Sequence, residues 1–312
     1  MKNSAKFLQK ILVVSGAAVL MASLLLVFCL LALPDGKLHV FVLDIGQGDS
    51  ILIQTPSNER ILIDGGPNDA VLKELGKVMP FYERQIDVVV LTHPHADHVN
   101  GLVEVLKRYN VGTVLISGVS YSYSGYAAFL QQVAARRIPV VYAGATMAGR
   151  GPGAAGGDAR GVVGRAAVYL LGSVTLDMLY PFESEQGRDF LNQNNSSIVF
   201  RLLYGKRSFY FSGDLEMEEE TKLVASPLDL HADFLKAPHH GSKTSDTQAF
   251  LDRVKPQYAA ISCGVNNKFH HPHPSTIQHF QERGINIFRT DLDGIIEAIS
   301  DGDFLRVRAL GK

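Results

Sequence analysis

His93-Pro94-His95-Ala96-Asp97-His98, directly after the strand-like run Asp87 to Leu91, packs three imidazoles and a carboxylate into six residues. Imidazole nitrogen and carboxylate oxygen are what a borderline-soft divalent cation takes, and two histidines one residue apart at a strand end can chelate a single ion. Asp97 and His98 lie one turn further on and face a second position nearby. One hexapeptide can therefore seed two metal sites. With 11 histidines in 312 residues, a chance match to all four positions has a probability of roughly one in a thousand, which favours a metal site over a solvated polar loop.

The chain is long enough for one large domain or two small ones. Its formal net charge is −1, and no long basic run offers a broad electrostatic footprint for duplex nucleic acid. A polyanionic substrate must then be gripped locally. Cys29 and Cys263, the two cysteines, sit in apolar surroundings, and no disulfide is expected. Ile11 to Leu33 is uncharged and apolar, long enough as a helix to cross about 30 Å of hydrocarbon. Lys2, Lys6 and Lys10 precede it in a basic flank, residues 1–10, which by the positive-inside tendency stays cytoplasmic and puts the remainder outside. A cleaved signal peptide is the competing reading, but Leu31-Ala32-Leu33-Pro34 makes a poor cleavage site.

From Leu38 the texture changes to short apolar runs separated by Gly, Asp and Asn. Leu38–Leu43, Ser50–Gln54 and Arg60–Ile63 read as a strand meander. Asp87–Leu91 is followed by a helix with Leu102, Val103, Val105 and Leu106 inward. Strands at Val111–Ile116 and Pro139–Tyr142 flank a helix near Tyr126–Arg136. A Gly-rich stretch at 145–165 reads as a flexible surface loop. A second half follows, with strands Val174–Leu179, Ile198–Leu203, Ser208–Phe211, Phe234–Lys236, Tyr258–Ser262 and Ile285–Phe288, the helix Ser275–Arg283, and a closing hairpin from Gly294 to Arg308. The expectation is an α/β domain over residues 38–310, two sheets covered by helices.

Other chemistry-bearing residues recur at strand ends. Asp214, in Ser212-Gly213-Asp214, is the candidate carboxylate to lie between two cations and offset their repulsion. His239 and His240, followed by Gly241 and Ser242, point different ways, and the sequence does not say which is a ligand. His270, His271 and His273 share a loop where one imidazole can serve as a general acid, titrating near neutral pH. Asp64, in Leu62-Ile63-Asp64-Gly65-Gly66, is expected to orient a ligand histidine. Tyr121, Tyr123 and Tyr126 either stack bases or form a polar aromatic turn.

Together the hexapeptide, LIDGG, SGD and HHGS resemble the metallo-β-lactamase fold. LDIGQGDS at Leu43–Ser50, NNSSIV at Asn194–Val199, APHHGS at Ala237–Ser242, Asn267–Pro272, and Thr290, Asp291 and Gly294 more closely resemble the extracytoplasmic hydrolase domain of the ComEC competence proteins. The resemblance implies an αββα four-layer sandwich, two divalent metal ions (zinc or manganese) at the sheet edges, and phosphodiester hydrolysis, with DNA as a candidate substrate. Its ligand set maps onto His93, His95, Asp97, His98, Asp214, His239 and His240. Asp97, His271 and Lys243 are the candidates for orienting the nucleophile and meeting phosphate or leaving group. Asn195 and Ser196, with Asp64, are expected to support the ligands from behind. Two departures stand out. ComEC carries a large polytopic channel where this chain offers one apolar span. No histidine occurs between Val99 and Leu230, leaving the His93/His95 position one strong ligand short, loosely occupied or suited to a hard ion such as manganese. His270 also stands where the group has glycine.

The expected function is a membrane-anchored, metal-dependent phosphodiesterase or nuclease acting outside the cytoplasm by a metal-activated water. Lactam or lactone hydrolysis on the same fold and a non-catalytic DNA- or cell-wall-binding module are the alternatives. Fold alone does not decide among them.

Overall fold

Strands covered on both faces read as continuous apolar runs rather than alternations, and the first half of the chain follows that rule. The computed structural model describes residues 12–23, 34–144 and 168–311. The basic flank 1–10, residues 11 and 24–33 of the expected anchor, and the Gly-rich stretch 145–165 lie outside them.

The chain divides into two units, Met1–Asp35 and Gly36–Lys312. In the first, residues 12–23 form helix α1, with Leu12, Val13, Val19 and Leu20 exposed. At 1.5 Å per residue this described portion is roughly 18 Å long. No helix among the described residues is long and apolar enough to cross a membrane, so the expected transmembrane helix is not seen in them.

The second unit begins with β1 (Leu38–Val42), β2 (Ile51–Gln54), β3 (Arg60–Ile63), α2 (Ala70–Val78), β4 (Gln85–Leu91), α3 (Ala96–Arg108), β5 (Asn110–Ile116), α4 (Ser124–Ala135) and β6 (Val140–Tyr142). It continues through β7 (Val168–Leu171), β8 (Val174–Tyr180), β9 (Val199–Tyr204), β10 (Arg207–Phe211), α5 (Met217–Ala225), β11 (Phe234–Lys236), α6 (Gln248–Val254), β12 (Tyr258–Ile261), α7 (Pro274–Glu282), β13 (Asn286–Arg289), the short α8 (Thr290–Asp293), β14 (Ile295–Ser300) and β15 (Leu305–Gly311). Eight strands form one sheet in the order β15-β14-β1-β2-β3-β4-β5-β6 and seven the other, β13-β12-β11-β10-β9-β8-β7.

Register explains the layering. Val40, Ile53, Ile61 and Val88 align across β1 to β4 and pack inward with Phe200, Phe209, Phe211 and Phe234 of the second sheet. The alternate residues Phe41, Leu52, Leu62 and Val89 turn outward beneath Leu75, Leu102, Leu106 and Phe129 of the helices α2 to α4. On the far side Tyr210, Leu235 and Ile261 meet Leu223, Phe250 and Phe280 of α5 to α7. The result is a four-layer αββα sandwich. Each such aliphatic or aromatic side chain contributes about 1.5–3 kcal/mol on burial, so three apolar layers fix which strand ends share an edge.

The helices α2, α5 and α6 had no counterpart in the sequence reading. Each is short, and α5 opens Met-Glu-Glu-Glu with Leu223 as its fully buried apolar anchor, too little periodicity to register. The pairs β3–β4 and β10–β11–β12 run parallel. Their carboxyl ends therefore emerge together on one edge of each sheet, the place where open α/β sheets gather functional loops.

Candidate metal centre

Four loops meet at that edge. After β3 the chain turns through Asp64, held at φ 56°. Its carboxylate accepts the Thr92 N–H at 2.8 Å and the Thr92 hydroxyl at 2.7 Å, locking the loop after β4 onto the loop after β3. The same carboxylate accepts from His98 Nδ1 at 2.8 Å. A histidine whose Nδ1 donates to a carboxylate turns Nε2 toward the cluster, where it offers a lone pair once a cation displaces its proton. Gly101 lets α3 approach closely enough for this, since a Cβ there would lie 1.7 Å from the Gly65 carbonyl oxygen.

After β11, Pro238 is followed by His239, His240 and Gly241 at φ 47°, 56° and 77°. Two successive non-glycine residues in the left-handed region cost about 1–2 kcal/mol each, strain of the kind that persists where function holds it. The turn drives the two rings apart. His240 is buried, its Nδ1 3.0 Å from the Ser262 carbonyl and 3.2 Å from Asp49 Oδ1. Both neighbours are acceptors, so Nδ1 carries the proton and Nε2 faces Asp214 Oδ2 at 3.3 Å and Asp97 Oδ2 at 3.5 Å. His239 stands beside Glu216 and Thr244, 3.3 and 3.1 Å from its Nδ1, with Nε2 3.9 Å from Asp214 Oδ2.

Asp214 is the hub. Its Oδ2 lies 3.3 Å from His98 Nε2 and 3.3 Å from His240 Nε2, and its backbone N–H donates to Ser197 Oγ at 3.1 Å. One donor atom each from Asp97, His98, Asp214 and His240 fits within a mutual separation of 4.8 Å. Asp49, Asp64 and His98 form a second such group. His93 and His95 adjoin on the other side. His93 Nε2 is 3.2 Å from His95 Nδ1, and the His93 ring centroid is 4.1 Å from that of His98.

The electrostatics follow from burial and opposed charge. Burial disfavours a charge on His98 and His240. For His98, Asp214 and Asp64 outweigh that penalty, and for His240, Asp214 and Asp49 do, holding both imidazoles well above the usual range. Asp214, though buried, is held well below the carboxylate range by His240, His98 and His239. Asp97 is likewise lowered against burial, by the neighbouring imidazoles of His240 and His98. Burial and the neighbouring His98 push His93 and His95 down. His271, half-buried with its ring 5.5 Å from that of His239, is pushed down to about 4 by burial and then by His240 and His239.

These donors fit a divalent cation. His98 Nε2, His240 Nε2 and Asp214 Oδ1 are buried without a hydrogen-bond partner, and buried polar atoms left unpaired are expensive unless something occupies them. Two carboxylates and two imidazoles at Asp97, His98, Asp214 and His240 make a mixed oxygen and nitrogen set. The structure thus brings together His93, His95, Asp97, His98, Asp214 and His240, with His239 at its margin and Asp64 behind His98. It does not bring in three others. Asn195 accepts the Glu216 N–H through Oδ1 at 3.2 Å and donates to Glu218 at 3.2 Å, and the Ser196 hydroxyl donates to the Gln193 carbonyl at 2.8 Å. Among the described residues the contact to Asp214 is made instead by Ser197, whose hydroxyl the 3₁₀ turn Gln193–Ser196 delivers. Lys243 is exposed on the loop beyond.

Two participants escaped the sequence reading. Asp49 reaches the cluster because Gly48, at φ 134°, passes so close to Asp97 that a Cβ would lie 2.3 Å from its carbonyl oxygen. Lys236 ends β11 at 1% exposure, its ammonium 2.7 Å from Asp49 Oδ2. A lysine closing an apolar strand immediately before Ala-Pro-His-His was the available signal.

A metal-binding edge of this make on an αββα sandwich defines a metallo-hydrolase fold of the lactamase type. The family model of the metallo-beta-lactamase superfamily matches residues 43–265, and the chain belongs to that superfamily. Among curated proteins it is 31% identical over 307 residues to ComE operon protein 3 of Bacillus subtilis, covering 93% of this chain and 36% of that protein. It is 28% identical over 271 residues to competence protein ComA of Neisseria gonorrhoeae, covering 85% and 33%. The chain thus spans about a third of the length of these relatives. Among solved structures, a diphosphatase of the PhnP family aligns over 88% of this chain and 100% of that one at 14% identity and a TM-score of 0.43, too distant to carry function.

Proposed function

We propose that this chain is a membrane-anchored phosphodiesterase, a nuclease in the first instance, working outside the cytoplasm with two divalent ions. The observation that carries the reading is Asp214, a single carboxylate within 3.3 Å of imidazoles from both halves of the sandwich. Phosphodiester is favoured over lactam or lactone because no histidine lies between Val99 and Leu230 to complete a three-imidazole site with His93 and His95, and because the curated relatives are competence proteins. The apolar sequence 11–33 supports the anchor, and the lysines before it support an extracytoplasmic domain.

His93 and His95 would hold one ion and Asp97, His98 and His240 the other, with Asp214 shared. Divalent cations supply Lewis acidity, acidifying water and offsetting charge that grows on phosphoryl oxygens. The chain's own groups do the rest. Asp64 fixes the His98 tautomer and Asp49 and Ser262 that of His240. Asp97 orients the attacking water as hydrogen-bond acceptor. His271, neutral here and so not the general acid its sequence position suggested, hydrogen-bonds the departing oxygen through a ring N–H while solvent supplies the proton, and Lys243 closes on a phosphate from the exposed side.

The test is Asp97→Asn, assayed on an aryl phosphodiester with added Mn²⁺ or Zn²⁺. A fall of at least 10²-fold in kcat is expected. Turnover unchanged by the substitution would rule the mechanism out.

A further inference from the structure

A groove of about 460 Å³ opens beside the metal centre, with His95, Tyr121, Leu191 and Gln193 among its walls. That volume is within the range of small-molecule sites. His95 belongs to both the groove and the ligand cluster, so a molecule reacting at the centre extends naturally into it. Tyr121 is half-buried and meets the His95 ring edge-on at a centroid distance of 5.7 Å, with Tyr123 6.2 Å beyond. Of the three tyrosines the sequence singled out, Tyr126 is used in the core, its hydroxyl on the Val119 carbonyl at 3.3 Å, and Tyr123 donates to Asn100 at 2.9 Å. Tyr121 packs against the same core and also lines the groove. Across from it Leu191 is fully exposed, at 111%.

The groove is built in advance. The amide Nε2 of buried Gln193 lies 3.3 Å from the Ser120 carbonyl on one wall and 3.3 Å from the Phe190 carbonyl on the other. Ser120 N–H also donates to the Arg188 carbonyl at 2.7 Å. Its walls do not suit phosphate, since they carry the carboxyl of Asp189 and no lysine or arginine. An uncharged, flat group that stacks is what such walls take, and every nucleobase has that face.

We infer that this groove is the base subsite of the phosphodiesterase proposed above, receiving the nucleobase next to the scissile phosphate of a single strand with Tyr121 as stacking platform. The inference rests on the phosphodiester reading for the position of the phosphate. It narrows the nucleic-acid substrate to one with an unpaired base and adds a specificity residue.

Two readouts on the intact chain separate the two claims. A single-stranded DNA decamer and its abasic counterpart are compared in kcat/KM with Mn²⁺. The wild type should prefer the base-bearing strand, and Tyr121→Ala should cut that preference about tenfold, with Tyr121→Phe restoring it. In the second readout, a decamer carrying 2-aminopurine should lose fluorescence on binding the wild type and Tyr121→Phe but not Tyr121→Ala. Equal kcat/KM for the two strands in the wild type overturns the base subsite and leaves the phosphodiesterase standing. If neither strand is cleaved with any metal, the phosphodiesterase reading falls, and the fluorescence decides whether the groove takes a base: Tyr121-dependent quenching upholds base stacking there and absent quenching overturns it.

Discussion

The Lys236 ammonium and the Asp49 carboxylate lie 2.7 Å apart, at 1% and 2% side-chain exposure, directly behind His240. Lys236 also donates to the Ala237 carbonyl at 2.8 Å, so the lysine ties the strand end to the loop whose Asp49 orients a candidate metal ligand. A charge pair this deep persists only because each partner satisfies the other.

Lys236→Met should therefore cost about 3–5 kcal/mol, because it takes the ammonium away from a buried carboxylate and leaves His240 as its remaining charge partner. Adding Asp49→Asn should recover part of that loss. Urea unfolding of the two single variants and the double variant gives the coupling, and strictly additive effects would show that the pair does not act as a unit.

Cation binding should release protons. His98 and His240 are held protonated by Asp214 and its neighbours, against burial, whereas Asp97 and Asp214 are lowered and already ionised. A divalent ion must displace the imidazole protons, so affinity rises with pH, by up to about two log units per pH unit while both are charged. Titration calorimetry with Mn²⁺ in two buffers of different ionisation enthalpy measures the release. Identical heats in the two would argue that the histidines are not ligands.

Glu185 offers a test away from the metal. It accepts from the Tyr180 hydroxyl at 2.8 Å, its other oxygen is buried without a partner, and burial pushes its carboxyl up to about 7. The stabilisation of a group with a raised folded-state pKa is complete below its ordinary value of 4.5 and is lost as pH climbs through about 7. That loss is on the order of 2–3 kcal/mol. Glu185→Gln should keep the tyrosine contact and flatten the decline, so that the wild type loses about 5 °C more in Tm than the variant between pH 5 and 8. Parallel Tm profiles would refute the assignment.

Fold and site were legible in unequal parts. The two sheets were readable because β4 and β5 end in the buried apolar runs Val88–Leu91 and Val114–Ile116 and β9 opens on buried Val199 and Phe200, and the hexapeptide because its residues are contiguous. Local pattern could not reveal Asp49 and Lys236, whose pairing joins positions far apart in sequence. Nor could it say which twin histidine turns inward, since that follows from the left-handed turn at His239 and His240. The support expected from Asn195 and Ser196 is given to Asp214 by Ser197, a shift of one or two residues that a 3₁₀ turn decides. His270, where the resembling family carries glycine, has φ 56°, a conformation glycine adopts without cost and histidine does not.

Every role assigned to these residues requires the loops to hold two cations together. Elemental analysis of the purified chain after loading with Mn²⁺ or Zn²⁺ and removal of excess metal is the direct measurement. It should give about two ions per chain, and Asp214→Ala, which removes the shared carboxylate, should lose both. Fewer than one ion per wild-type chain, or an Asp214→Ala variant that binds as much as the wild type, would contradict it.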